Sequence, residues 1–429
     1  MLNSGKRFAR KTAAWLSMKI KRRIAKKLKK IDEQVVTLSP EAIEKRQETA
    51  TVKGSVLLSY MIEPFLPGFD RSLSSEHIRY WRTRQMANTF LELGYEVDVI
   101  SYHNRTFLPQ KKYSFALDVR HNLERLSPFL DKKCIKIMHL DTCHILFHDH
   151  AELKRLLELQ RRRAKTLRPR RFEMPNLGID HADYAVFFGN ARNASTYKYA
   201  SKPVYTIPVS TPVLFPWMED KDFDKNRRNF LWFGSGGLVH KGLDLVLEAF
   251  AGLPEYNLTV CGPVEREKDF EEAYSRELYH TANIKTIGWM DTQSIQFIRL
   301  LRENLALVYP SCSESGSGST VVCMHGGVIP VISPETGIDV HDFGSLLNDC
   351  SITGIRAAVK DLASRPVEEL RNRARKTWEC ARDYHTKENF ARQYKRIIEE
   401  ITKREGKKSG LRKFLPAKKI GVESLGGGY

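Results

Sequence analysis

The sequence contains no long apolar run: no stretch approaches the roughly 20 residues that a membrane-spanning helix needs. Cysteine is sparse and unpatterned. The seven cysteines, Cys134, Cys143, Cys261, Cys312, Cys323, Cys350 and Cys380, are scattered and form no CxxC pair. That excludes a disulfide framework and a thiolate zinc site, and it points to a reducing compartment. The histidines do not compensate. His148 and His150, with Asp149 between them, lack metal-ligand spacing, and no metal is expected. Behind the N-terminal charges there is no apolar core of the roughly 7–15 residues that a secretory signal requires. Acidic residues are missing altogether from residues 1–30.

What is present is enough apolar residue for packed cores, 41% of 429 residues. A chain of this length is expected to divide into two domains with extensions. The net charge of +19 is concentrated, because residues 1–30 hold twelve Lys/Arg. Within this arm Leu16, Ile20, Ile24, Leu28 and Ile31 recur every three or four positions, near Phe8 and Trp15. The pattern is that of a basic amphipathic helix. It suits an anionic membrane surface, a nucleic-acid arm or a solvated helix; the apolar stripe and Trp15 favour the membrane. Each cation near an anionic leaflet contributes about 1 kcal/mol, enough in sum for attachment without insertion. Nucleic acid has only the charge in its favour and is not expected as a partner. Lys403 to Lys419 form a second basic segment at the C-terminus, either reinforcing this or disordered.

From Val56 onward, short apolar runs alternate with helical patterns. Strands are expected at Val56–Met61, Glu96–Ser101, Ser114–Val119, Ile135–Leu140, Tyr184–Phe188 and Val204–Val209, after a polar linker from Asp32 to Lys53. A very basic helix is expected from Ala151 to Arg171, its arginines read as a solvated face or a surface for an anionic ligand. A second linker, Pro212 to Asn229, carries Glu219, Asp220, Asp222 and Asp224. These acids sit away from any strand end and read as solvated rather than metal-binding. The alternation then resumes with strands at Phe230–Phe233, Leu258–Cys261, Ile284–Ile287, Leu305–Tyr309 and Val328–Ile332, and two closing helices. This gives an arm and linker over 1–50, domains over 51–215 and 216–404, and a basic tail over 405–429. Two such α/β halves imply Rossmann-like sheets facing a cleft, with ligands at the carboxyl ends of the strands.

Residues 306–333, ALVYPSCSESGSGSTVVCMHGGVIPVIS, are the centre of that scheme. A strand, a Gly/Ser loop with Glu314 as its only charge, a helix start and a second strand follow one another. Backbone N–H groups at such a loop and helix start can meet an anion. The second half resembles, in order and spacing, the nucleotide-binding half of GT-B glycosyltransferases of the family 4 type. The matching segments are FLWFGSGGLVHKGLDLVLEAF, LTVCGP, NIKTIGWM and YPSCSESGSGSTVVCMHGGVIPVIS. Lys241-Gly242, Pro310-Ser311 with Glu314, and Gly327 with Pro330-Val331 carry the match, which covers about 230–400. For 54–215 the likeness rests on the alternation and on HADYAVFFGN (His181–Asn190). Two departures stand out. Val322 occupies the place of the family's second glutamate, and the arginine usual before the lysine is missing at Ser235, Gly236 and Gly237.

The resemblance implies a GT-B fold and transfer of a sugar from a nucleotide donor, with the nucleotide sugar as substrate and no cofactor or metal. It assigns the donor to Lys241, to Ser235 and Gly236 in the first loop, to Gly288 and Trp289 beside the base, and to Ser315, Gly316, Ser317 and Gly318. Glu314 is assigned to hydroxyls of the donor sugar. In retaining members the leaving diphosphate takes the acceptor proton, and a histidine of the first domain often lies near the anomeric carbon. His121 follows the right strand; His139 and His144 are alternates. The expectation is therefore a hexosyltransferase, retaining, serving a glycan or lipid-linked acceptor in polysaccharide biosynthesis. It would be cytoplasmic and peripheral on the inner face of the membrane. The two departures keep open an inactive GT-B protein acting as a membrane or assembly scaffold. An epimerase on the same architecture would need more first-domain acids and bases than the sequence supplies.

Overall fold

Parallel strands buried on both faces read as unbroken apolar runs, and those runs are strands in the computed structural model, which describes residues 30–40, 52–69 and 78–414. The basic arm lies outside the described residues, and so does the tail beyond Phe414.

The first sheet contains β1 (Val35–Leu38), β2 (Ser55–Tyr60), β3 (Glu96–Ser101), β4 (Phe115–Asp118), β5 (Ile135–Leu140), β6 (Tyr184–Phe188) and β7 (Val204–Ile207). Its order is β1-β3-β2-β4-β5-β6-β7. All neighbours are parallel except β1, which lies antiparallel on the edge with Val35 opposite Ile100. This strand falls inside the segment read as a polar linker. It has only four residues, Val35-Val36-Thr37-Leu38, alternately exposed and half-buried, too short a run to stand out. Val36 and Leu38 pack on the first core, and Thr37 Oγ1 donates at 2.8 Å to Oδ1 of Asp98, whose Oδ2 accepts from Tyr113 at 2.5 Å. The second sheet contains β8 (Asn229–Phe233), β9 (Asn257–Cys261), β10 (Ile284–Gly288), β11 (Ala306–Tyr309), β12 (Ile329–Ile332) and β13 (Ser345–Leu346). It is parallel throughout, in the order β10-β9-β8-β11-β12-β13.

The helices that cover these sheets and meet between them include α1 (Ile78–Leu93), α2 (Ile145–Arg163), α3 (Leu243–Ala251), α4 (Gly318–His325), α5 (Ile352–Ser364), α6 (Val367–Tyr384) and α7 (Lys387–Phe414). Two of them do not stay with the sheet that precedes them in the chain. α2 comes after β5, yet its Leu156 and Leu159, with Leu167 just beyond, are buried in the core of the second domain. α7 comes last and returns to the first domain, where Phe390, Tyr394, Ile397, Ile398 and Ile401 pack with Met86 and Phe90 of α1. It also runs ten residues past 404, the boundary expected for the tail.

The basic stretch 151–171 is not one helix. α2 ends at Arg163, where Ala164 turns left-handed (φ 52°), and Arg168, Arg170 and Arg171 lie on an irregular strap. Nor is the run simply solvated. Arg162 pairs with Asp244 (2.7 Å) and Glu248 (3.3 Å) of α3, and Arg163 pairs with Glu277 at 2.7 Å. The acidic cluster after Pro212, by contrast, is exposed as read. It conceals an apolar-facing cation: Lys221 is 1% exposed and donates to the carbonyls of Leu301 (3.0 Å) and Gly327 (3.2 Å).

Burial pushes the Lys221 amine down to about 7. The unfolded chain, with a lysine value of about 10.4, therefore binds this proton more tightly than the folded one. Stability is expected to rise as pH increases from about 7 toward about 10. Denaturant unfolding across that range should show the rise, and Lys221→Met should flatten it.

Candidate functional site

The site forms where β11 ends and the second domain meets the first. Pro310 stops β11, and residues 311–317 continue as a loop into α4, capped by Ser317 Oγ accepting from the N–H of Thr320 at 3.2 Å. Gly242, left-handed at φ 73°, opens α3, and a side chain there would meet the Pro310 carbonyl at 2.5 Å. That close approach brings Lys241 to the loop. Its Nζ donates to Glu314 Oε1 at 2.7 Å and to the Tyr309 hydroxyl at 2.8 Å. Ser311 Oγ adds a 3.3 Å bond to the same carboxylate oxygen.

The pair is deeply buried, with side-chain exposures of 6% and 13%. Burial alone raises the Glu314 carboxyl, but Lys241, Arg171 and His240 outweigh it and hold it down to about 2. Glu314 is thus charged at every physiological pH. Lys241 stays protonated for the same reason in reverse: burial lowers its pKa, but Glu314 raises it further. Next to the pair, His240 Nε2 donates to the Ser313 carbonyl at 2.5 Å, and burial pushes this imidazole down to about 3, so it is neutral.

The loop is gripped from the first domain. Asn193 Nδ2 donates to the carbonyls of Glu314 (2.7 Å) and Glu335 (2.9 Å), Cys143 Sγ to that of Glu314 (3.1 Å). Ser315 Oγ donates to the Asp141 carbonyl at 2.8 Å, and His148 Nδ1 meets Ser313 Oγ at 3.0 Å. Glycines allow the contact. An added Cβ would lie 1.9 Å from the Ser315 carbonyl oxygen at Gly189 and 2.0 Å at Gly337, and at Gly316 it would lie 2.3 Å from Val209. Of the loop residues assigned to the donor, Ser315, Gly316 and Ser317 are engaged in this seam, and the Ser317 N–H donates to Thr336 at 3.0 Å. Gly318 is exposed.

The first loop holds an anion of the protein's own. Glu267 accepts from the N–H of Gly237 and, at 3.3 Å, from that of Leu238. Ser235 is exposed beside it and Gly236 half-buried. Gly288 ends β10, the edge strand of its sheet, and Trp289 just beyond it is 64% exposed. Val322, where the family has its second glutamate, is 8% exposed and belongs to the second domain's core.

His121 sits across the seam, after β4. With Arg120, His139, Asp141, His144 and Glu173 it lines a cavity of about 30 Å³, room for a water molecule. Burial, reinforced by Arg105, lowers its pKa, so the ring is neutral at pH 7. His139 is fully buried and bonded to Tyr394 at 3.1 Å, a structural role. His144 caps α2. Asp141 links cavity to loop, since its carbonyl receives Ser315 while its carboxylate pairs with Arg120 at 3.0 Å. A groove of about 750 Å³ opens beside the loop, lined by Lys154, Arg155 and Arg161 of α2, by Cys312, and by Ser351 at the start of α5. Among the described residues no cluster of three His, Cys, Asp or Glu is placed to hold a metal ion.

Lys241 and Glu314 carry the sequence match, and the structure joins them. The site contacts of His148, Asn193, His240 and Glu267 have no local signature, because each meets its partner only through the fold.

No family model and no curated protein matches the chain. Solved structures do. Sucrose-phosphate synthase from Thermosynechococcus elongatus aligns with a TM-score of 0.56 at 12% identity, over 81% of this chain and 98% of that one. Anabaena HepE, in complex with UDP and glucose, gives 0.48 at 12% identity over 82% and 99%. The pneumococcal O-GlcNAc transferase GtfA, in complex with UDP and GlcNAc, gives 0.45 at 13% identity over 67% and 57%, so the chain spans little more than half of that protein's length. At such identities the likeness is one of fold. The two α/β sheets have the arrangement of the GT-B fold.

The seam itself is testable. Gly189→Ala places a methyl against the Ser315 carbonyl, and overpacking of this kind costs about 1–3 kcal/mol. Denaturant unfolding should register that loss, and Cys143, freed from Glu314, should react faster with a thiol reagent than in the parent chain.

Proposed function

We propose that this chain is a glycosyltransferase that moves a sugar, with retention, from a nucleotide donor to a glycan or lipid-linked acceptor. The observation that carries the reading is the buried Lys241–Glu314 pair, set at the carboxyl end of β11 in a GT-B fold and facing the first domain. A departing diphosphate needs a positive charge already in place, and fixed charge in a dry site is worth far more than in water. Lys241 has two of its three N–H groups engaged, which leaves one for phosphate. Glu314, charged and immobile, accepts from hydroxyls of the donor sugar. Held by Lys241, the diphosphate takes the acceptor's proton, so no strong protein base is required. His121, neutral and lining the cavity beside Asp141, accepts from an acceptor hydroxyl. No metal enters, because the cations of the protein carry the charge.

The arm over 1–30, with its twelve cations, places the enzyme on the cytoplasmic face of an anionic membrane where lipid-linked acceptors lie. No helix of the described residues is long and apolar enough to cross a membrane. Pelleting with anionic but not neutral vesicles, lost when residues 1–30 are removed, would support this attachment; equal pelleting with and without the arm would refute it.

A second reading, a GT-B protein without activity, has two observations on its side: Val322 in the core in place of a carboxylate, and Glu267 on the turn amides. Calorimetry with UDP, GDP and ADP in the presence of EDTA decides between them. The glycosyltransferase reading expects one diphosphate to bind with a Kd on the order of micromolar, about −8 kcal/mol. Glu314→Gln should keep diphosphate binding and lose the added affinity of the sugar conjugate. It should also cost about 3–5 kcal/mol of stability, because Lys241 is left buried without its partner. If no nucleotide binds, the inactive reading replaces this one.

A further inference from the structure

The arginines of the seam are engaged one by one. Arg162 and Arg163 pair with carboxylates of the second domain, Arg170 with Asp269, and Arg120 with Asp141 and Glu173. Arg155 donates to the Pro310 carbonyl at 2.9 Å. Among the described residues Arg161 and Arg168 face solvent, and the partly buried Arg171 is left over. Its backbone is held from α2: Glu152 accepts its N–H at 3.0 Å, and His148 Nε2 donates to its carbonyl at 2.8 Å. Its stem lies on the first loop of the second domain, where a Cβ at Gly237 would meet its Cγ at 2.5 Å. The guanidinium, so positioned, makes no ion pair or hydrogen bond among the described residues, and its Nε is buried without a partner.

A buried donor with nothing to donate to is costly and uncommon, and it calls for an acceptor that completes the site. The local charges say which kind. Arg171 acts on both Glu314 and Lys241, so two cations stand around that one carboxylate, while Glu267, the anion on the adjoining turn, lies 3.9 Å from Arg170. The turn amides cannot serve an incoming anion, since Glu267 already occupies those of Gly237 and Leu238. Side chains must do so.

We propose that Arg171 and Lys241 form a two-cation clamp for a diphosphate, one cation from the strap after α2 and one from the start of α3. The identification of that diphosphate as part of a nucleotide sugar rests on the function proposed above. The planar guanidinium grips phosphate oxygens in pairs, and the ammonium adds a point charge. Arg171 thereby supplies, from the strap after α2, the cation that Ser235, Gly236 and Gly237 do not provide.

Calorimetry on the full chain in EDTA tests this with inorganic pyrophosphate, with UDP, GDP and ADP, and with the corresponding nucleosides. Arg171→Gln should weaken pyrophosphate and the bound nucleoside diphosphate by about 10- to 100-fold, the range for a charged hydrogen bond. It should leave the nucleoside unchanged, and Arg171→Lys should recover part of the loss. Arg170→Gln, whose guanidinium is on Asp269, should stay within about a factor of two. Parent-like binding of both phosphate ligands by Arg171→Gln would overturn the clamp while leaving the enzyme reading intact. Binding of pyrophosphate through Arg171 without any nucleotide would uphold the clamp and sink the enzyme reading. Binding of neither ligand by the parent chain would end both.

Discussion

The carbonyl of Ser315 is packed where two other residues have no side chain. Gly189 from the first domain and Gly337 from the second both yield space to it, and the remainder of the site depends on that contact. With the loop pinned there, Asn193 and Cys143 hold the neighbouring carbonyl of Glu314. The carboxylate of Glu314 is then turned toward Lys241 rather than free to rotate. The ion pair is costly to bury and gains little over an apolar pair of the same size. Its value lies in position: a fixed negative charge and a fixed positive one, 2.7 Å apart, at the point where two sheets converge.

A second layer of charge keeps the sheets converged. Asp244 is fully buried, and burial raises its pKa to about 6 against the pull of Arg155 and Arg162. Removing Arg162 would take away its ion pair and leave Arg155 as the cation acting on it, so the helix that carries both arginines belongs to the seam as much as the loop does. The strap after it is tied down by Glu152 and Asp149, which accept backbone N–H groups of Arg170, Arg171 and Glu173. Of the nine Lys/Arg in residues 151–171, Arg155, Arg162, Arg163 and Arg170 are bonded across to other parts of the molecule, and the others are left for solvent or ligands.

The strands were legible because a parallel strand covered on both faces is an unbroken apolar run, as in Tyr184–Phe188 and Leu305–Tyr309. β1 was not, since an edge strand of four residues gives too short a run to stand out. Helix ends were misjudged where charge continued past a left-handed residue, as at Ala164. What no pattern shows is which sheet a helix joins. The leucines of α2 and the aromatics of α7 announce a buried face but not its partner. The same division runs through the site. Lys241 and Glu314 lie in segments with a recognisable spacing. Asn193, His148 and Glu267 reach the site across 29 to 165 positions of sequence, and each is an ordinary residue in its own neighbourhood.

The crossing of α2 and α7 between domains also has a meaning in time. A ribosome delivers the first sheet well before residues 390–401, so the apolar face of α1 emerges with its covering helix still unmade. Leu156, Leu159 and Leu167 emerge before any of the second sheet that will enclose them. Neither half can close its core alone, and the apolar face of α1 stays uncovered until residues 390–401 have emerged. The protein is therefore built to fold late and as a whole, and a helper that shields apolar segments during synthesis has two defined places to act.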